Sequence, residues 1–140
     1  MNAKDYLLQY KLMTAKIERA EQDLREIREE RSSISVNLDG MPRGTDLSER
    51  TAKLAVMLAD MERELIYMRS KAWRVRMDII RTLGKLTNPT HFNLLHFRYI
   101  DGYKWEKIAV EMNYSYQWVA DTLHKSALHE LEEVLNNNEA

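Results

Sequence analysis

Two long stripes of apolar residues restrict this chain to long paired helices. In the first, Ala3, Tyr6, Tyr10, Met13, Ile17, Ala20, Leu24 and Ile27 step alternately by three and four. In the second, Leu54, Leu58, Met61, Leu65, Met68, Ala72, Val75 and Ile79 keep the same rhythm. That spacing is a coiled-coil seam, narrower than the face a helix turns to a globular core, and each seam must be buried against something. Two prolines and four glycines leave few sites for β turns, so the class is all-α. Between the seams, Ser32, Ser33, Gly40, Pro42 and Gly44 interrupt helix. Asp46, followed three residues later by Glu49, has capping-box spacing. The simplest arrangement is a long antiparallel helical hairpin (coiled coil) over 1–86 with its loop at about 32–46. Closure of the seams within one chain, or between two chains as a homodimer, fits the pattern equally.

The arms of such a hairpin are unequal, about 40 Å for the first and about 60 Å for the second if it continues to Leu86. The unpaired end of the second carries Met77, Ile79, Ile80, Leu83 and Leu86, which must pack against the rest of the chain or another subunit. Gly84 and Thr87-Asn88-Pro89 then break the helix, with Asn88 as cap and Pro89 as first residue of the next. This is the expected domain joint. The same end is basic: Arg69, Lys71, Arg74, Arg76, Arg81 and Lys85 face only Asp78, six cations less one carboxylate or +5. A phosphate-backbone contact, a contact to an acidic protein surface and a solvated helix face all fit that density.

The segment from Leu94 to Leu128 has the spacing of a helix-turn-helix. Trp105 opens a short amphipathic helix in which Ile108, Ala109 and Met112 form the apolar stripe, and Ala109 is small enough for a second helix to cross closely. Asn113 stands where a compact turn needs a residue tolerant of positive φ. Ser115 follows as an N-cap for the amide of Gln117 or Trp118. Trp118, Val119, Leu123, Ala127, Leu128 and Leu131 then make the inward side of a second helix, and Tyr116, Gln117, Ala120, Asp121, His124 and Lys125 its outward side. With Ser115, these are the candidate DNA-binding residues, because in such a motif the start of the second helix meets base edges in the major groove. Gln117 is the favoured base reader, since its amide pairs bidentately with adenine.

The run from Leu95 through Arg98, Tyr99, Gly102, Ile108, Ala109 and Met112 to Ser115 resembles the DNA-binding region 4 of bacterial sigma factors. With the long N-terminal part and the Asp39–Gly44 loop, nearly the whole chain is similar to small sigma-70-like phage and mobile-element proteins of Gram-positive bacteria, related to phage late transcriptional activators. Asn113 replaces the glycine usual in that turn, and Trp105 stands where sigma factors often carry a small hydroxyl residue. The resemblance implies a sequence-specific, double-stranded-DNA-binding transcriptional regulator, an activator of phage or mobile-element genes acting with host RNA polymerase. The expected organisation is a helical hairpin over 1–86, the helix-turn-helix over 87–135 and a disordered tail over 136–140.

Charge argues for help from outside the motif. Between His91 and Leu131, Arg98, Lys104, Lys107 and Lys125 stand against Asp101, Glu106, Glu111, Asp121 and Glu130, and phosphate neutralisation supplies most non-specific DNA affinity. That balance keeps two other functions open: a module binding polymerase or a regulator without reading DNA, and a DNA-packaging component like a small terminase subunit. With no cysteine there is no disulfide or thiolate zinc site. His91 with His96, and His124 with His129, are five apart and miss the i, i+4 face of a helical zinc motif, so neither metal nor cofactor is expected. No glycine-rich phosphate loop or ordered nucleophile appears, so no enzyme is expected. No apolar run nears the roughly 20 residues of a membrane helix, and a cytoplasmic location is expected. Met41 and Arg43 lie in a loop of about 14 residues, long for joining antiparallel helices. Turning the chain suffices to explain it, and docking a protein partner is the functional alternative.

Overall fold

The computed structural model describes residues 2–37 and 45–139, and among these every regular element is helical and none is a strand. Helix α1 spans Ala3–Asn37, α2 Thr45–Leu83, α3 Pro89–Leu95, α4 Trp105–Met112 and α5 His124–Glu139. Two wider, π-helical turns extend them: His96–Ile100 continues α3, and Trp118–Leu123 leads into α5. No described helix is long and apolar enough to cross a membrane.

The chain divides into two compact units, Thr14–Lys71 and Met1–Met13 with Ala72–Ala140. Within the Thr14–Lys71 unit, Leu24, Leu58 and Leu65 form a buried core with Ile17, Ala20, Ile27 and Met61 against it. All seven are seam positions. Ion pairs join the flanks: Glu21 to Arg69 at 2.8 Å, Arg28 to Glu62 at 3.0 Å and Glu30 to Arg50 at 3.0 Å. The partners' numbers rise along α1 as they fall along α2. These pairs are solvated, each contributing about 0–1 kcal/mol, so seam burial carries the association.

In the other unit one core gathers residues from both ends of the chain. Ala3 and Leu7 of α1, Ile79 and Leu83 of α2, and Leu86 are buried with Leu94, Leu95, Ile108, Val119, Leu123, Ala127 and Leu131. Tyr6 ties the first two segments with its hydroxyl, which donates to Asp78 Oδ2 at 2.6 Å and lies 2.8 Å from Thr82 Oγ1. Burial and the Asp78 carboxylate push that phenol up to about 12. A second polar anchor sits at the start of α3. His91 Nδ1 donates to Glu130 Oε1 (2.8 Å), Ser126 Oγ lies 3.1 Å from the other ring nitrogen, and Glu130 Oε2 accepts from Thr87 N and Oγ1 (2.9 Å each). Burial raises the Glu130 carboxyl, and the His91 and Thr87 hydrogen bonds more than reverse this, holding it below the ordinary carboxylate range.

Several sequence expectations are corrected. The helices reach further into the expected 32–46 loop: Ser32 and Ser33 are helical, and Asp46 lies in the first turn of α2. Serine disfavours helix interiors only by tenths of a kcal/mol, roughly half a unit at most, which a long helix absorbs. Asp46 then serves as a first-turn carboxylate at the positive helix end. The expected joint at 86/87 is no boundary, since the core runs through Leu83, Leu86 and Leu94. Nor does the end of α2 lack a partner from α1, because Ala3 and Leu7 share its core. Residues 136–139, expected as a tail, continue α5; Val134 and Leu135 pack on the core and Asn138 Oδ1 accepts from Lys85 Nζ at 3.3 Å. Met41 and Arg43 lie outside the described residues.

Local signals at the helix ends are obeyed. Asn88 caps α3 by accepting from Thr90 N at 2.9 Å, with Pro89 at its first position. Asn113 is left-handed (φ 59°, ψ 45°) and ends α4, its N–H and that of Tyr114 bonding back to Val110 and Ala109. Gly102, at φ 73°, makes a second left-handed turn among the described residues. Asn113→Ala is expected to destabilise the unit by about 1–2 kcal/mol, the left-handed penalty of a Cβ without a polar group to relieve it. Asn113→Gly is expected to match or exceed the parent. Thermal melts of the two variants check this: equal midpoints for Ala and the parent would contradict it.

Candidate nucleic-acid interface

The surface following Asn113 is built by one cap and one wide turn. Ser115 Oγ accepts from Trp118 N at 3.2 Å, which satisfies one free amide at the helix start. The next turn, Trp118–Leu123, is π-helical, a distortion found often at functional positions. Val119, Leu123, Ala127 and Leu131 face the core at strict spacings of four. That stripe displaces Trp118, which was expected inside and is instead 46% exposed.

Ser115, Tyr116, Gln117, Trp118, Ala120, Asp121 and Thr122 line an open groove of about 610 Å³. Its lining is rich in hydroxyl and amide groups able both to donate and to accept. The Asp121 carboxylate is partly neutralised by Lys125, whose Nζ lies 2.8 Å from Asp121 Oδ1; the same pairing raises the Lys125 ammonium above its ordinary range. Val110 (79% exposed), Tyr114, Tyr116 and Trp118 are exposed large apolar or aromatic residues of this segment.

Of the seven residues expected to face DNA, Ser115, Tyr116, Gln117, Asp121 and Lys125 are exposed and Ala120 is half-buried. His124 departs from the expectation. Its Nε2 lies 2.7 Å from Tyr99 Oη, and its ring meets Trp105 edge-on at 4.7 Å. Burial first, then the charges of Lys4 and Arg98, lower its pKa to about 4. His124 is therefore a neutral, half-buried packing residue at pH 7. Its partners come from segments 19 to 25 positions back, and a helical pattern carries no sign of them.

The sign of the resulting pH dependence is fixed. His124 binds its proton less readily folded than unfolded, so the folded form is undiminished above the ordinary histidine value of 6.5 and loses stability as pH falls from there toward about 4. Ring carbon chemical shifts should follow a midpoint near 4, and Lys4→Gln should raise it while leaving it below the ordinary value, because burial is the larger cause. A midpoint near 6.5 in the parent would refute the packed, cation-flanked ring.

The basic end of α2 is more committed than its sequence suggests. Arg69 is held by Glu21, Lys71 stands over Tyr67, Arg76 over Trp73, and Lys85 reaches Asn138. Arg74 and Arg81 are exposed. Elsewhere Lys4 and Lys11 of α1 line a pocket of about 410 Å³ together with Arg98, Tyr99, Trp105 and His124. In the sequence Lys4 and Lys11 carry only their spacing of seven, which places them on one helical face. No family model, curated protein or solved structure matches this chain.

Proposed function

We propose that this protein is a sequence-specific, double-stranded-DNA-binding transcription regulator. In this reading α4, the Asn113 turn and the helix from 116 to 139 act as a helix-turn-helix of the sigma-region-4 kind, with Tyr116, Gln117 and Asp121 presented to the major groove. The observation that carries it is the turn itself. A left-handed Asn113 followed by the Ser115 cap starts the last helix with its polar side outward and its Val119–Leu131 stripe inward. A helix of about 10–12 Å diameter fits a major groove about 12 Å wide. The paired seams of α1 and α2 would serve as an antiparallel hairpin for self-association or for docking on host RNA polymerase, and the genes served would be those of a phage or mobile element.

A second reading, docking of the same surface on a protein without reading DNA, is favoured by the exposed Tyr116 and Trp118 on that groove. The two separate by salt. Fluorescence anisotropy with a mixed-sequence duplex should show binding that weakens steeply between about 50 and 200 mM salt, as counterion release requires. Absence of binding at the lower salt would favour the protein-docking reading.

A further inference from the structure

We propose that the outer face of α2 in the Thr14–Lys71 unit is a self-association surface, which pairs antiparallel with the same face of a second copy of this chain. The inference deepens the self-association named above and rests on that part of the reading alone. It is tested without DNA, so its failure and that of the DNA contact are read separately.

The first argument is rhythm. The seam that α2 turns to α1 is buried at Leu54, Leu58 and Leu65. On the opposite side of the helix Ala52, Val56, Ala59, Arg63, Ile66 and Ser70 repeat the same alternation of four and three, and all six are exposed. Outer positions of a two-helix pairing are normally polar, because only water meets them. Helix α1 obeys this rule in the same unit, where the equivalent positions behind its seam hold Glu18, Gln22, Arg25 and Glu29. Helix α2 does not. A second heptad stripe on one helix is spaced to receive another helix, and the sequence carries the rhythm on through Trp73 and Met77.

The second argument is exposed apolar surface. Val56 is 62% exposed and Ile66 65%, and Met57 and Tyr67 beside them in sequence are exposed as well. Among the described residues of this unit, the large hydrophobic side chains left so open all belong to α2. Ala59 and Ser70 are small, which lets a second helix approach closely. Arg63, the one charge in the stripe, is paired with Asp60 one turn back, and its alkyl stem suits an apolar neighbour.

The third argument is charge, which selects both the occupant and its direction. Asp60, Glu62 and Glu64 lie just before Leu65, and Arg69 and Lys71 just after Ile66. A two-fold axis between residues 65 and 66 sets the acidic stretch of each copy beside the basic stretch of the other, with Glu62 level with the second copy's Arg69. The same axis brings the two Ile66 side chains together. Parallel pairing instead stacks like charge on like and sets Arg63 against Arg63. Glu62 and Arg69 hold α1 partners within the chain, Arg28 and Glu21, in solvated pairs that leave both well exposed.

The test is the mass of the full-length chain at sedimentation equilibrium, without DNA, from about 1 to 200 µM, the range of dissociation constants a small interface of this kind gives. The parent should rise from 16.6 kDa toward twice that mass. Val56→Glu and Ile66→Glu should keep the parent's circular dichroism, because both positions are exposed, and should weaken dimerisation by about tenfold or more, since each sets a carboxylate in an apolar seam. Leu12→Glu, the same kind of change at a side chain 63% exposed in the other unit, should dimerise like the parent. A nitroxide attached through Ala52→Cys in this cysteine-free chain should report an axial separation of about 40 Å between copies, 27 helical steps across the axis. A parent that stays monomeric throughout, or Val56→Glu and Ile66→Glu that dimerise as the parent does, would overturn a second copy as the occupant of this face. A label separation below about 20 Å would overturn the antiparallel pairing.

Discussion

Leu7→Ala is expected to destabilise the unit formed by Met1–Met13 and Ala72–Ala140 by about 2–5 kcal/mol, the range for truncating a buried leucine. Leu7 is fully buried in the core that also holds Ile79, Leu83, Leu94 and Leu131, so its loss leaves a cavity in a core shared by several helices. In a unit of this size that corresponds to a melting temperature lower by roughly 10 °C or more. Leu12→Ala is the matched control, because Leu12 is 63% exposed on the same helix; its effect should stay within about 0.5 kcal/mol. Denaturation followed by tryptophan fluorescence distinguishes them, since Trp105 packs against this core. Equal effects from Leu7 and Leu12 would mean that the start of α1 is not part of the core.

The second large effect concerns recognition. On a duplex carrying the preferred sequence, Gln117→Ala is expected to cost about 1–3 kcal/mol, or roughly five- to 150-fold in affinity, and to relax preference at one base pair. The side chain is exposed just after the Ser115 cap, on the groove rather than against the core, so truncation should leave the melting temperature unchanged. Anisotropy against the preferred duplex and its single-base variants reads both affinity and preference. A uniform loss across all bases would assign Gln117 to the backbone instead.

The parts of this fold written in local chemistry were legible from the residues alone. The seams predicted buried positions that recur at Leu24, Leu54, Leu58, Leu65, Ala72 and Ile79. Asn88 with Pro89, and Asn113 with Ser115, predicted turns through the conformations and hydrogen bonds available to those side chains. What depends on distant segments was not legible. Leu7 lies next to the apolar stripe traced through Tyr6 and Tyr10, and only the approach of Ile79 and Leu83 makes it the buried member. Trp118 looks like core by type, yet Val119 and Leu123 take the inward positions. His124 turns inward because Tyr99 and Trp105 meet it from other helices. The Asn-rich end of α5 remains helical because Val134 and Leu135 dock on the core, a tertiary contribution that outweighs weak asparagine propensity.

The same division applies to the candidate site. The groove residues are consecutive and follow from one cap, whereas the pocket at Lys4, Lys11 and Arg98 unites positions nearly a hundred residues apart.

The most direct measurement is selection from a pool of random duplexes by the full-length protein, with Gln117→Ala and Tyr116→Ala selected in parallel. The DNA-reading account predicts that the parent enriches one motif and that Gln117→Ala loses preference at a position within it. A pool left unenriched by the parent, or a motif unchanged by both variants, would contradict it.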